Sequence, residues 1–299
     1  MIAARHNPVP VMRAVRDFFM HPRTRIPFAW VSAITFFYAT YLIGASVCAQ
    51  PSDFKECGLN GKFYDGRFSV YASDYALAEE VGAKAQFIYQ RVIDDIGYSG
   101  AHTRKYALLV WADKEGFKSF LASIGANVPP QSTAVALHGF FSTPTIAGYR
   151  DANLLGRSLP HEFTHLIIAD ILEVKPQNIP LWLSEGIATH EARQSSDEVN
   201  TFLCFAAAEK KYIALTELVS LREYPTAEER LNLFYLQSQS FVEFLLEKKK
   251  RKDVFFLFMK RMAKKQESLE QAYQEAYGEG LTVQELEEQW LEYIGIKEE

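Results

Sequence analysis

His161-Glu162-Phe163-Thr164-His165 constrains this 299-residue chain more than any other stretch. On a helix, positions i and i+4 lie one turn apart on one face. Two imidazoles placed so can reach a single metal ion. Glu162, one position on, turns toward the open side of that ion. Glu185 lies further along the chain and can serve as a third ligand. Zinc held by three protein ligands, with a fourth position open, makes a hydrolytic site. The fold must therefore supply a helix for the pentapeptide and a second element that faces Glu185 to it.

The flanks fit that demand. Ser158 is a suitable N-cap, and Pro160 is tolerated in a first helical turn. Leu166-Ile167-Ile168-Ala169 continues as an apolar run suited to a buried helix. Two histidines and a glutamate on such a helix are costly without a metal or partners. Pro180 can open a second helix, which Leu181, Trp182 and Leu183 can pack against the first. Glu185 then faces His161 and His165.

Trp182-Leu183-Ser184-Glu185-Gly186-Ile187-Ala188 is similar to the W-L-x-E-G-x-A string of one branch of a known enzyme family. With the pentapeptide and the spacing to Glu185, the chain resembles the gluzincin zinc metallopeptidases, in particular their small peptidase-MA-like domains. The resemblance is dense from Leu159 to Ala192 and thinner from Arg67 to Ile294. It implies one zinc ion per chain held by His161, His165 and Glu185, with Glu162 as general base. It also implies a peptide or protein substrate. Thr189 stands where the thermolysin branch has an aspartate that orients the first histidine. Thr189, Glu191 and Asp170 are the candidates for that supporting role. His190 is either a polar group of the cleft or a solitary surface histidine. Tyr235, in Tyr235-Leu236-Gln237-Ser238-Gln239-Ser240, resembles a downstream family string and is the candidate oxyanion stabiliser. Tyr149 is the reserve.

The remaining sequence sets the frame. A hydrophobic content of 48% is ample for a core, and a net charge of -5 gives no reason to expect nucleic acid. Charge is unevenly spread: Arg5, Arg13, Arg16, Arg23 and Arg25 face only Asp17 before residue 50. Ile26 to Val47 carries no charge and is long enough to span a bilayer. With all the arginines ahead of it, the body is expected to cross the membrane. Residues 1–49 thus read as a cleaved signal peptide, ending at Val47-Cys48-Ala49, or as an N-terminal anchor that associates with the membrane through residues 26–47. The domain proper is residues 50–299, placed in the periplasm or outside the cell. Cys57 and Cys204 are left to pair there if they are close.

The layout predicted is α+β and zincin-like: a small mixed sheet, an active-site helix pair and a helical C-terminal part. Residues 51–65 read as a loose start and Phe68 to Tyr71 as a short strand. Tyr75 to Ile96 reads as a long amphipathic helix and Tyr106 to Trp111 as a strong strand. Asp113 is expected to cap a short helix. Thr133 to Leu137 and Thr145 to Tyr149 are further strands. The segment from Ile146 to Tyr149 occupies the place of the edge strand that pairs with substrate in gluzincins, as the resemblance implies. Thr282 and Glu285 form a capping box for the last helix.

Residues 142–149 carry no acid, whereas the aminopeptidase branch uses a glutamate before the metal helix to hold the substrate amine. The expected activity is therefore an exported zinc endopeptidase. The alternative is a gluzincin-fold envelope protein that binds zinc or peptide without hydrolysing it. A complete Glu162 argues against that alternative, since a non-hydrolytic protein has no need of the base.

Overall fold

A computed structural model describes residues 58–129, 131–192, 195–248 and 251–296. The expected export segment and Cys57 lie outside them; Cys204 is half-buried. Five strands form one sheet: β1 (Gly61–Tyr64), β2 (Phe68–Ala72), β3 (Tyr106–Trp111), β4 (Ala134–Leu137) and β5 (Thr145–Tyr149). Their spatial order is β1-β2-β3-β5-β4. β2, β3 and β5 run parallel, and β1 and β4 are antiparallel edges.

Alternation along these strands sends residues to two different cores. Phe68, Val70, Leu108, Val110 and Ile146 point into the larger one. There they meet α1 (Tyr75–Ile96) and α3 (Leu159–Leu172). Tyr71, Leu109, Trp111 and Ala147 point the other way, onto Phe117, Phe120 and Leu121 of α2 (Lys114–Ser123). The mixed α+β reading is thus the fold observed. The larger core continues through α4 (Leu181–Glu191), α5 (Ser196–Ala208) and α6 (Leu215–Ser220) to α7 (Glu228–Lys248). It then takes in α8 (Lys252–Lys264), α9 (Leu269–Tyr277) and α10 (Val283–Tyr293). Among the described residues, no helix is long and apolar enough to cross a membrane.

Local signals set most boundaries. Asp74 and Asp113 accept from backbone N–H groups at the starts of α1 and α2. Capping boxes at Ser268 and Thr282 open α9 and α10. Three expectations need correcting. Gly61–Tyr64 is a strand, not a loose start: four residues show too little periodicity to read, and pairing with β2 makes the strand. Ser158 is not an N-cap, because the chain is already helical over Leu154–Ser158, in a wide π-turn that runs into α3. β5 is not an edge, because β3 and β4 flank it; the free edge belongs to β4.

Gly186 explains part of the string around Glu185. A β-carbon there would lie 2.4 Å from Ser238 O and 2.6 Å from Val242 Cγ2, both on α7. Glycine lets α4 and α7 approach closely enough to carry Tyr235 to the helix pair. Gly186→Ala is expected to cost about 1–3 kcal/mol by overpacking. A denaturation midpoint equal to wild type would show that the helices have room to part.

Candidate metal centre

α3 is buried almost all round, and His161, Glu162 and His165 are among its covered residues. The two imidazoles face α4, which a short connection through Pro176–Asn178 brings back against α3. Pro180 precedes the first turn of α4, so the chain enters that helix extended and leaves Glu185 one turn in. His161 Nε2 lies 3.2 Å from Glu185 Oε2, and His165 Nε2 lies 3.8 Å from Glu185 Oε1. One ligand atom from each of the three residues falls within 4.8 Å of the others. Two ligand atoms on one tetrahedral zinc stand roughly 3.3 Å apart, given bonds of about 2.0–2.2 Å. Glu185 Oε2 is also buried without a hydrogen bond among the described residues. Donor types, spacing and this buried oxygen all fit a zinc ion.

Two of the three ligands have a polar partner behind them. Ser184 Oγ meets His165 Nδ1 at 2.8 Å. Tyr224 donates its hydroxyl to Glu185 Oε1 at 2.6 Å. Neither was singled out from the sequence. Ser184 was hidden inside the quoted string, and Tyr224 lies on the α6–α7 connection, which has no periodicity to read. Thr189 Oγ1 has no hydrogen-bond partner among the described residues. Glu191 is paired with Arg91 of α1 at 2.6 Å. Asp170 lies 3.8 Å from Arg104. No described hydrogen bond therefore links any of the three to His161. His190 is not solitary: its Nδ1 meets Glu243 at 2.9 Å. Asp95, His190 and Glu191 also come together. There the Arg91 guanidinium already supplies the cation, so the group ties α1 to α4.

Glu162 is buried, and its Oε2 accepts from the Ala136 N–H of β4 at 3.1 Å. Burial, then the Glu185 charge, push its carboxyl well above the usual range; the Ala136 bond opposes them. Tyr235 is buried, and its phenol is raised by burial and then by the charges of Glu185 and Glu162. Its ring stacks at 6.3 Å on Tyr224, whose hydroxyl reaches Glu185. Tyr149, the reserve, packs on Phe117 at 5.6 Å, on the sheet face away from α3. The outward turn of side chains on β5 decides this, and it leaves Tyr149 out of the centre.

A family model described as the Peptidase MA superfamily matches residues 130–296, more than half of the chain. The chain belongs to the Peptidase MA superfamily. No curated protein matches it. Membership supports a metallopeptidase-like function. The superfamily is usually zinc-dependent, in keeping with the His161, His165 and Glu185 group. In this Peptidase MA protein the match begins just before β4. It takes in the edge strand, the helix pair and Tyr235. The preceding strands and α1 contribute to the same continuous core.

The cleft beside the centre also contains His138, immediately after β4. It was missed because one histidine after a short strand gives no pattern. His138 Nε2 is buried without a hydrogen bond among the described residues. Burial pushes its imidazole down to about 4, so it is neutral at physiological pH.

Proposed function

We propose that this chain is a zinc-dependent peptidase that cuts within extended polypeptides, with Glu162 as general base and Tyr235 as oxyanion donor. The observation that carries the reading is the convergence of His161, His165 and Glu185, with Glu162 held beside them by β4. When bound by these three residues, zinc supplies Lewis acidity to the reacting carbonyl and water. Glu162 accepts the proton of the attacking water and passes it to the leaving amine. The Tyr235 hydroxyl donates to the developing oxyanion.

β4 offers a place for substrate. Tyr149 N–H bonds Thr133 O, so alternate residues of β4 face β5. Ala134 and Ala136 then face the open edge. Ala136 N–H reaches Glu162 there, so a peptide added along this edge runs past the base. The corrected edge still carries no carboxylate that could hold a substrate amine: His138-Gly139-Phe140-Phe141 follows it. Asp151, the first acid after β5, accepts from the Thr133 hydroxyl and the N–H groups of Asn153 and Leu154. This supports internal cleavage over removal of N-terminal residues.

The test is digestion of an unstructured protein by the purified chain, with and without a zinc chelator. Cleavage at internal bonds, stopped by the chelator and restored by zinc, is expected. No cleavage under any metal condition would overturn the proposal. Its setting outside the cytoplasm rests on the charge layout of residues 1–49. N-terminal sequencing from the native host should find a start near Gln50, or an intact anchor in membranes. An intact soluble cytoplasmic chain would refute that setting.

A further inference from the structure

One cleft opens beside the metal centre, between the end of β4, the Pro176–Asn178 turn and the α6–α7 connection. Its walls include His138, Gln177, Ile179, Leu181 and Arg222. The floor is formed by His165, Ser184 and Glu185, so whatever fills the cleft lies next to the ligands. The polar groups of the floor are committed: Ser184 to His165, and Glu185 to Tyr224. Among the described residues, those of the wall are not. His138 Nε2 is buried without a hydrogen bond among the described residues. Arg222 is the one wall residue that is permanently charged.

The backbone at Arg222 is held from both sides, and its side chain is exposed. Leu221, just before it, packs against the main core, and its N–H bonds Glu217 O. Tyr224, two residues on, is pinned to Glu185. The backbone that carries Arg222 is thus tied to a metal ligand. The neighbouring acids are engaged elsewhere or turned to solvent: Glu217 pairs with Arg230, and Glu223 is exposed. A guanidinium presents a planar fork of donors that matches a carboxylate in two parallel hydrogen bonds. Arg222 is exposed at the cleft wall, where apart from the ligand Glu185 it is the one charged lining side chain among the described residues, and its guanidinium selects for a carboxylate.

Resting on the peptidase reading of the same site, we infer that Arg222 is a specificity-determining residue and binds a carboxylate of the substrate, with His138 as a second hydrogen-bonding group. The carboxylate is either an acidic side chain near the scissile bond or the terminal carboxylate of a peptide that ends in the cleft. Both present the same chemistry to Arg222. Ile179 and Leu181 cover the apolar part of the residue that carries it.

The experiment uses four peptides of otherwise equal sequence: with Glu or Gln near the bond to be cut, each with a free or an amidated C-terminus. Binding is measured by calorimetry to the full zinc-loaded chain carrying Glu162→Gln, and cleavage with the unmodified chain. A preference of about tenfold or more for peptides bearing the selected carboxylate is expected. A Glu-over-Gln preference identifies the side chain; a free-over-amidated preference identifies the terminus. Arg222→Met should bring the binding ratio to about one, and Arg222→Glu should invert it in favour of the peptide that lacks the selected carboxylate. His138→Ala should weaken the favoured peptide without abolishing the ratio. Equal binding of all four peptides, binding of none, or a ratio unchanged in Arg222→Met overturns the inference. Because binding is read without turnover, peptides that bind with the expected ratio but are not cut would count against the peptidase reading and leave the carboxylate site standing.

Discussion

Glu162→Gln is expected to retain zinc and fold while hydrolysis of an unstructured protein falls by roughly 10²–10⁴-fold. Glutamine matches glutamate in size, and its amide oxygen can still accept from the Ala136 N–H that now holds Oε2. Replacement also removes a buried carboxylate from beside Glu185, so no loss of stability is expected from charge. What is lost is a group able to take a proton and return it. Zinc content, melting temperature and initial rate would be measured on one preparation. Cleavage at the wild-type rate would sink the mechanism. Tyr235→Phe gives a contrast. If its hydroxyl meets only the transition state, kcat should fall by ~10²-fold with KM little changed. A silent Tyr235→Phe would move the oxyanion role to another donor and leave the base assignment intact.

His161→Ala is expected to lower zinc from about one ion per chain to near zero, with activity falling in parallel. His165 and Glu185 remain, but two protein ligands hold the ion poorly. Loss of a merely supporting group costs roughly 10–100-fold in affinity, and a direct ligand should cost more. The removed ring is fully buried, so some stability is lost with it. Circular dichroism alongside metal analysis separates loss of the ion from loss of fold. A folded variant that still carries a full zinc complement would show that the ion is held elsewhere. Zinc should also raise the melting temperature of the wild type and not that of the variant, since only the former has a complete site.

Helix α1 and strands β3 and β5 appear within a residue of where the pattern puts them, because their side-chain periodicity is long and their caps are local. The helix pair is legible for the same reason. His161 and His165 are one turn apart on a single helix, and Pro180 marks where the next one starts. β1 was not legible, since it has only four residues and owes its form to β2. The cap assigned to Ser158 failed because the chain before it was already wound.

The site divides along the same line. The donor types and their one-turn spacing are local properties, written in a few consecutive residues. Those the sequence determined by itself. Which strand borders the base was decided by sheet order: β5 precedes α3 in the chain, yet β4 lies outside it in space. The partners of His165 and Glu185 were decided by packing, because Ser184 and Tyr224 reach their acceptors only when α4 and the α6–α7 connection fold back on α3. His138 and Arg222 meet across one cleft for the same reason, though they lie far apart in the chain. Sequence periodicity reports what a residue does within its own element. Contacts between elements depend on topology and close approach, such as the one Gly186 permits, and these emerge only in the folded chain.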